Sequence, residues 1–365
     1  MIRVRHIVRQ FAPSVGGLET FVALLAQSLR AHDCESDILT LDRVFEASGP
    51  RLPLHERIED LDVHRVPMIG HRRLFAPLIS ERRLRDYDVL HVHGIDGMFE
   101  RIARHPKRQA QICIATSHGA FFHTPWMTRL KRAYFQIVTK RAARRYNCLI
   151  ANSAPVEALL QQLGRPVVQV PNGVAPLGAF RASGRDLLCL GRLSSHKRVD
   201  RLIAMMAAPE LANTRLHIVG PEWDVKFAEL REQASVLGVS DRVLLHGHVS
   251  SKRLAEIASS CGAFVSASNY EGFGMSLIEA MSVGLIPLVN PNASFQQLLA
   301  KAGVGALITF DDPLRAAGIV AHALANAADD TRTRAIQFSE AYSWVGHART
   351  TAGLYAELLT RQSAS

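Results

Sequence analysis

No stretch of this chain approaches the roughly 20 consecutive apolar residues that a membrane-spanning helix needs, so no transmembrane anchor is expected. The opening Met1-Ile2-Arg3-Val4-Arg5-His6 alternates apolar and basic side chains and reads as a strand rather than a secretory signal. Cysteine is scarce: Cys34, Cys113, Cys148, Cys189 and Cys261 are scattered without paired spacing, mostly in apolar surroundings. That pattern speaks against a disulfide framework or a zinc site and fits buried free thiols of a reducing cytoplasm. Acid is missing locally. Between Arg101 and Val156 there are eleven basic residues and no Asp or Glu.

What is present fills two cores. With 365 residues and 48% hydrophobic content, two domains are expected. Charge is uneven between them: up to Val170 the chain carries 25 Lys and Arg against 16 Asp and Glu, and beyond it 18 against 17. Within the acid-free block, residues 126–145 read as a basic amphipathic helix with aromatics. Arg129, Lys131, Arg132, Lys140, Arg141, Arg144 and Arg145 supply charge, while Trp126, Tyr134 and Phe135 are expected to insert at the headgroup level. Anionic lipid attracts such a segment at roughly 1 kcal/mol per basic residue. The alternative is a solvated helix with Leu130, Phe135 and Val138 turned to the core. No nucleic-acid fold signature accompanies the charge, so nucleic acid is not an expected partner.

The chain alternates short apolar strands with helical stretches. Strands are expected at Ile2–Val8, Ser36–Leu41, Val63–Val66, Val89–Val92, Ile112–Thr116 and Leu149–Ala151, with helices near Leu74–Arg85, Asp96–Arg104 and Trp126–Arg145. A second alternation begins at Asp186–Leu190 and continues through Leu216–Val219, Val243–His246, Ala263–Ser266 and Leu285–Asn290. This is an α/β pattern of parallel sheets covered by helices, in which ligands gather beyond the carboxyl ends of strands.

Chemistry-bearing residues recur at those strand ends. Gly16-Gly17 follows the first strand and opens a helix, a phosphate-cradling arrangement without the G-x-G-x-x-G dinucleotide spacing; taken alone, such a pair is better read as a plain tight turn. Ser117-His118-Gly119 follows another strand, a position suited to chemistry, although an isolated strand-end histidine is more often structural. Gly191-Arg192 and Lys197 lie on a loop where two cations can clamp a diphosphate. The most telling stretch runs from Asn269 to Met281. Glu271 and Glu279, eight positions apart, bracket Gly272-Phe273-Gly274-Met275-Ser276, a glycine loop entering a helix. Taken alone, the pair also admits a plainer reading, with Glu271 a helix-start acid stabilised by the dipole and Glu279 a solvated surface residue. Two Asp-x-Asp pairs, Asp60/Asp62 and Asp86/Asp88, precede strands instead of following them, so a metal role is not expected.

Together these motifs resemble the GT-B glycosyltransferases, in particular the retaining glycosyltransferase family 4, from Arg3 to about Leu359. Glu271/Glu279 looks like that family's E-x7-E motif, Gly191-Arg192 with Lys197 like its diphosphate clamp, Gly16-Gly17 like its first-domain glycine loop, and Ser117-His118-Gly119 like its catalytic histidine motif. Pro171-Asn172-Gly173-Val174 is similar to its hinge loop. The stretches His6–Phe11, Thr40–Phe45, His91–Asp96 and Ser117–Thr124 resemble the xanthan- and acetan-type α-mannosyltransferases within it.

The resemblance implies two doubly wound Rossmann-like domains facing a cleft. An acceptor- and membrane-facing domain would span 1–172 and a nucleotide-sugar domain 173–342, and a helix over 343–365 would cross back to the first. It implies GDP-mannose as donor and a polyprenyl-diphosphate-linked cellobiosyl unit as acceptor, in exopolysaccharide synthesis at the inner face of the cell membrane, without a metal cofactor. Glu279 would hold the ribose, Arg192 and Lys197 the β-phosphate, helped by Gly16 and Gly17. Glu271 and the backbone of Phe273–Ser276 would hold mannose, with Asn172 at the donor and His118 orienting the sugar. A family member using a UDP-sugar, or a GT-B sugar-nucleotide epimerase, remains an alternative on sequence alone.

Overall fold

The computed structural model describes residues 1–14, 16–45, 51–71, 74–106, 111–118 and 128–363. It divides into two compact units: Met1–Gly173 together with Trp344–Ser365, and Val174–Ser343.

The first unit contains β1 (Ile2–Val8), β2 (Cys34–Leu41), β3 (His55–Ile58), β4 (Leu61–Val66), β5 (Met68–His71), β6 (Leu74–Pro77), β7 (Val89–His93), β8 (Ile112–Ser117), β9 (Cys148–Ala151) and β10 (Val167–Gln169). Eight of them form one sheet in the order β10-β9-β8-β7-β1-β2-β4-β3, parallel except where β3 runs against β4. Every residue of β7, β8 and β9 is buried, as expected of parallel strands covered on both faces. One covering layer is built on Phe99, Phe135 and Tyr146, the other on Phe21, Leu25 and Tyr355. The chain leaves β1 toward β2 on one side and returns through β7 on the other. That makes the β1/β7 junction a switch point, where a crevice opens at the carboxyl ends of the strands.

The second unit repeats this plan. Its strands are β11 (Asp186–Leu190), β12 (Leu216–Val219), β13 (Val243–Gly247), β14 (Cys261–Ser266), β15 (Ile286–Val289) and β16 (Ala306–Leu307). They form an all-parallel sheet in the order β13-β12-β11-β14-β15-β16, whose switch point lies between β11 and β14.

The last helix, Trp344–Ser363, packs against the Gly17–Ser28 helix of the first unit and adds Ala348, Ala352 and Tyr355 to its core. At Gly173, a Cβ would come within 2.6 Å of the Trp344 indole, so only glycine fits there.

One expectation is corrected. Leu74–Arg85 is not helical: Leu74–Pro77 pairs antiparallel with Met68–His71, and only Glu81–Arg83 makes a single 3-10 turn. The run Leu74-Phe75-Ala76-Pro77-Leu78-Ile79 is apolar at both periods, but Pro77 removes a helical donor and pushes Ala76 out of the α region. Burial from Phe75 to Ile79 alternates accordingly. Helix 126–145 is described from Thr128 on. It runs through a π turn at Phe135–Thr139 to Ala143.

Candidate active site

In the second unit the two loops flanking the β11/β14 switch point meet. The turn after β11 carries Gly191, Arg192 and the 3-10 turn Ser195–Lys197; the loop after β14 carries Glu271. Lys197 Nζ donates to Glu271 Oε1 at 2.6 Å, with the two side chains 18% and 10% exposed. A backbone bond from Asn269 N–H to the His196 carbonyl, 2.8 Å, locks the loops together. Arg192 is exposed, and its guanidinium lies 5.0 Å from the centroid of the half-exposed Trp223 ring.

Side chains beyond β15 hold the Glu271 loop in shape. Asn290 and Asn292 donate to the Ser268 carbonyl at 3.3 and 2.9 Å, and Ser294 Oγ donates to the Glu271 carbonyl at 2.7 Å. Sequence reading missed these three residues. Their signal was available: Asn290-Pro291-Asn292-Ala293-Ser294 follows a strand, at the edge where ligands gather. Gly274 then caps the Met275–Met281 helix at φ +98°, a conformation that favours glycine. Gly272, Met275 and Ser276 line this entry, whereas the Phe273 ring is buried against Tyr342, leaving only its backbone to face a ligand.

Glu279 stands in that helix four residues after Met275, half-buried and on the turn next to the loop. Among the described residues no hydrogen bond or ion pair reaches its carboxylate, and burial pushes its pKa up to about 7. A carboxylate left without a protein partner beside a glycine loop suits a diol ligand.

In the first unit Gly16 and Gly17 begin the Gly17–Ser28 helix just beyond β1. Glu19 folds back on this loop and accepts from Ser14 Oγ at 2.9 Å; sequence reading had not singled it out. His118 stands at the end of β8, half-buried, with the Phe21 ring edge-on at 4.5 Å. Burial, with His347 adding to it, brings its pKa down to about 3, so it acts as a neutral hydrogen-bonding group. His347 Nδ1 donates to the Pro171 carbonyl at 2.6 Å, next to the buried Asn172.

The basic helix presents Arg129, Arg132, Arg141, Arg144 and Arg145 to solvent and Lys140 partly so. Trp126 lies outside the described residues, as does the side chain of Lys131. Phe135 corrects the expected membrane edge: only 1% exposed, it is packed into the core and cannot insert among headgroups. Tyr134 remains at the surface, bonded to Glu100, and Ile137, which sequence reading passed over, is 69% exposed. Among the described residues no helix is long and apolar enough to cross a membrane.

The Asp-x-Asp pairs are engaged in local bonds at the amino ends of strands. Asp60 pairs with Arg30, Asp62 with His55 and Arg57, and Asp86 with Arg85, while Asp88 accepts from the Arg3 N–H.

Residues 15–176 match the family model described as Glycosyltransferase Family 4, and residues 179–341 that described as Glycosyl transferases group 1. A GDP-mannose:cellobiosyl-diphosphopolyprenol α-mannosyltransferase of Xanthomonas campestris is 33% identical, covering 94% of this chain and 93% of that protein. Its namesake from Komagataeibacter xylinus is 32% identical, over 99% of this chain and 94% of its own. The chain belongs to glycosyltransferase family 4.

This family 4 enzyme shares its fold with solved glycosyltransferases of low identity. A sucrose-phosphate synthase from Thermosynechococcus elongatus superposes with a TM-score of 0.77 at 19% identity, covering 99% of this chain and 100% of that one. The Anabaena HepE protein in complex with UDP gives 0.73 at 15% identity, with 98% and 100% covered. The fold is GT-B, and the activity is that of a retaining hexosyltransferase.

Proposed function

We propose that the enzyme moves an α-mannosyl group from GDP-mannose to a cellobiosyl diphospho-polyprenol. What carries this reading is that relatives named for that reaction match over more than nine-tenths of the chain. The site chemistry supports it. Glu279, without a side-chain partner among the described residues and open to ionisation near neutral pH, accepts the two ribose hydroxyls. Arg192 and Lys197 neutralise charge on the β-phosphate as its bond to the anomeric carbon breaks, a leaving-group stabilisation that grows toward the transition state. Glu271, steadied by Lys197, takes the mannose hydroxyls with the backbone of Phe273–Ser276. Gly16 and Gly17 add backbone donors for the phosphates, Asn172 contributes to the donor site, and His118 orients the sugar.

No carboxylate is placed as a nucleophile in this scheme. The acceptor hydroxyl forms its new bond on the face that the leaving phosphate quits, and the departing phosphate oxygen takes the hydroxyl proton. Retention follows without a covalent intermediate. The second unit is the donor-binding unit in this reading and the first the acceptor-binding one, with the basic helix docking at the inner membrane face during exopolysaccharide synthesis. No divalent metal takes part.

The test is a panel of GDP- and UDP-sugars offered with cellobiosyl diphospho-lipid. Mannose transferred from GDP-mannose, with GDP appearing only when lipid is present, is expected. Transfer from a UDP-sugar, or turnover without lipid, overturns the reading.

A further inference from the structure

A row of histidines crosses one face of the first sheet. His6 on β1 lies beside His91 on β7, and His93 follows two residues on, on the same face. All three are buried, and their rings stack, His91 on His93 at 4.1 Å and His6 on His93 at 5.2 Å. One nitrogen from each lies within 4.8 Å of the others, a spacing that admits a metal ion. Every ring nitrogen of the three, however, already has a hydrogen-bond partner. His91 is held apart from the rest by Tyr355 Oη on Nδ1 and Thr116 Oγ1 on Nε2, each at 2.7 Å. The other two form a chain: Ser36 Oγ to His6 Nε2 at 3.2 Å, His6 Nδ1 to His93 Nε2 at 2.9 Å, and His93 Nδ1 to His118 Nε2 at 3.3 Å.

Such a chain of neutral rings has two self-consistent directions. Each imidazole has one N–H and one bare nitrogen, so fixing any link fixes all. Burial holds His6 and His118 at about 3 and His93 well below the ordinary value, so each ring carries one proton. Ser36 decides the direction. The residue is buried, and among the described residues the hydrogen bond of its hydroxyl is the one to His6. If Ser36 donates, its proton is satisfied; if it accepts, its own O–H is left without a partner in the core. A buried donor without a partner is the costlier defect, on the order of 1–3 kcal/mol. Ser36 therefore donates, His6 donates from Nδ1, and His93 donates from Nδ1.

We propose that Ser36, His6 and His93 form a one-way hydrogen-bond chain that holds His118 as the neutral Nδ1–H tautomer, making His93 a positioning residue for sugar transfer. His118 accepts on Nε2 and offers a single N–H donor at Nδ1, which no described residue engages. Phe21 fixes the ring from its edge. The neighbouring sugar hydroxyl is then met by a donor of set orientation, not by a ring free to exchange tautomers. This rests on the assignment of His118 to the sugar.

Nitrogen-15 NMR of the full-length enzyme, with the His118 ring assigned through His118→Gln, tests the chain without reference to activity. A protonated Nδ1 and bare Nε2 on His118 are expected; the reverse tautomer, or a metal ion bound to His6, His91 and His93, overturns the chain. Kinetics test the positioning. His93→Asn places an amide donor near the position of the lost Nδ1–H and should keep kcat within about tenfold, whereas apolar His93→Leu should lose on the order of 10²-fold in kcat with the donor KM unchanged. Equal kcat values for the two variants overturn the positioning role. Should His93→Leu fail to fold, the spectrum of the parent still decides the tautomer. Full activity in His118→Gln would instead remove the assignment of His118 to the sugar, which the NMR result does not touch.

Discussion

Lys197 reaches Glu271 across 2.6 Å and joins two loops whose residues are 74 positions apart in the sequence. Each loop leaves a strand flanking the switch point of the second sheet, so the pair closes over the place where ligands bind in such folds. The cation and the acid are thus poised as a unit, the ammonium free to share its remaining donors with a phosphate.

Removing Lys197 should therefore do two kinds of damage. Lys197→Ala loses a preorganised positive charge and releases Glu271 from its orientation; Arg192→Ala loses only an exposed cation stacked on Trp223. Both should slow transfer by roughly 10²–10³-fold, with Lys197→Ala the more severe. Glu271→Gln combined with Lys197→Ala should fall short of the product of the two single losses, because the residues act together. Single-turnover rates with saturating donor check this. Near-normal kcat in both cation variants removes the clamp.

Glu279 gives a pH dependence whose sign is fixed by burial. Its pKa in the fold, about 7, lies above the ordinary carboxylate value. Below the ordinary value the group is protonated folded or unfolded and carries no penalty; above about 7 the fold holds a buried charge. Unliganded stability should therefore decline as pH rises through this window, and Glu279→Gln should blunt that decline, raising Tm more at pH 8 than at pH 5. Donor binding should run the other way, since only the ionised carboxylate accepts two ribose hydroxyls. Calorimetry of GDP-mannose binding between pH 5.5 and 8 should show affinity rising through about 7 in the parent and a flatter, weaker profile in Glu279→Gln. A parent profile that falls with pH removes Glu279 from the ribose.

The sequence showed these residues but not all of what steadies them. The candidate residues Arg192, Lys197, Glu271 and Glu279 could be picked out because glycine-bearing loops beyond apolar strands mark candidate positions in one dimension, and the fold brings Lys197 and Glu271 together. Asn290, Asn292 and Ser294 were not, since their work is to bond the carbonyls of a loop from the preceding strand, a contact made only once β14 and β15 pair. The same holds for His6 and His93: a histidine in a strand looks like any buried polar residue until register sets it beside its partner. Leu74–Arg85 misled for the opposite reason, an apolar run whose two periods coincide until Pro77 chooses between them.

Divalent metal should be dispensable. Both Asp-x-Asp pairs sit at the amino ends of strands and are engaged with Arg30, Arg57, Arg85 and the Arg3 backbone, while the proposed mechanism answers the phosphate charge with Arg192 and Lys197. Transfer rates with EDTA should match those with added Mg²⁺ or Mn²⁺. Activity abolished by EDTA and restored by either ion would show that a metal shares the phosphate.

Docking to anionic membrane should depend on the basic helix and on an apolar contact different from the one its sequence suggests. Arg129, Arg132, Arg141 and Arg144 are exposed and act at a distance, so their attraction falls with ionic strength as the Debye length shrinks from about 10 Å at 0.1 M to about 3 Å at 1 M. Phe135 takes no part at the surface, because its ring fills the core beneath the helix. Among the described residues of this helix, Ile137, at 69% exposure, and Tyr134 are the large apolar side chains at the surface, placed to enter the headgroup layer. Replacing the four arginines with Gln should weaken binding to anionic vesicles at low salt and lower turnover of lipid-linked acceptor, while GDP-mannose affinity stays unchanged. Ile137→Ser should leave the low-salt attraction largely intact and remove the binding that survives at high salt. Phe135→Ala should instead lower thermal stability, by about 3–5 kcal/mol, without a selective effect on vesicles. If the four-arginine variant co-sediments with anionic vesicles as well as the parent does, the helix is an ordinary solvated one, and the acceptor must be met at some other face of the first unit.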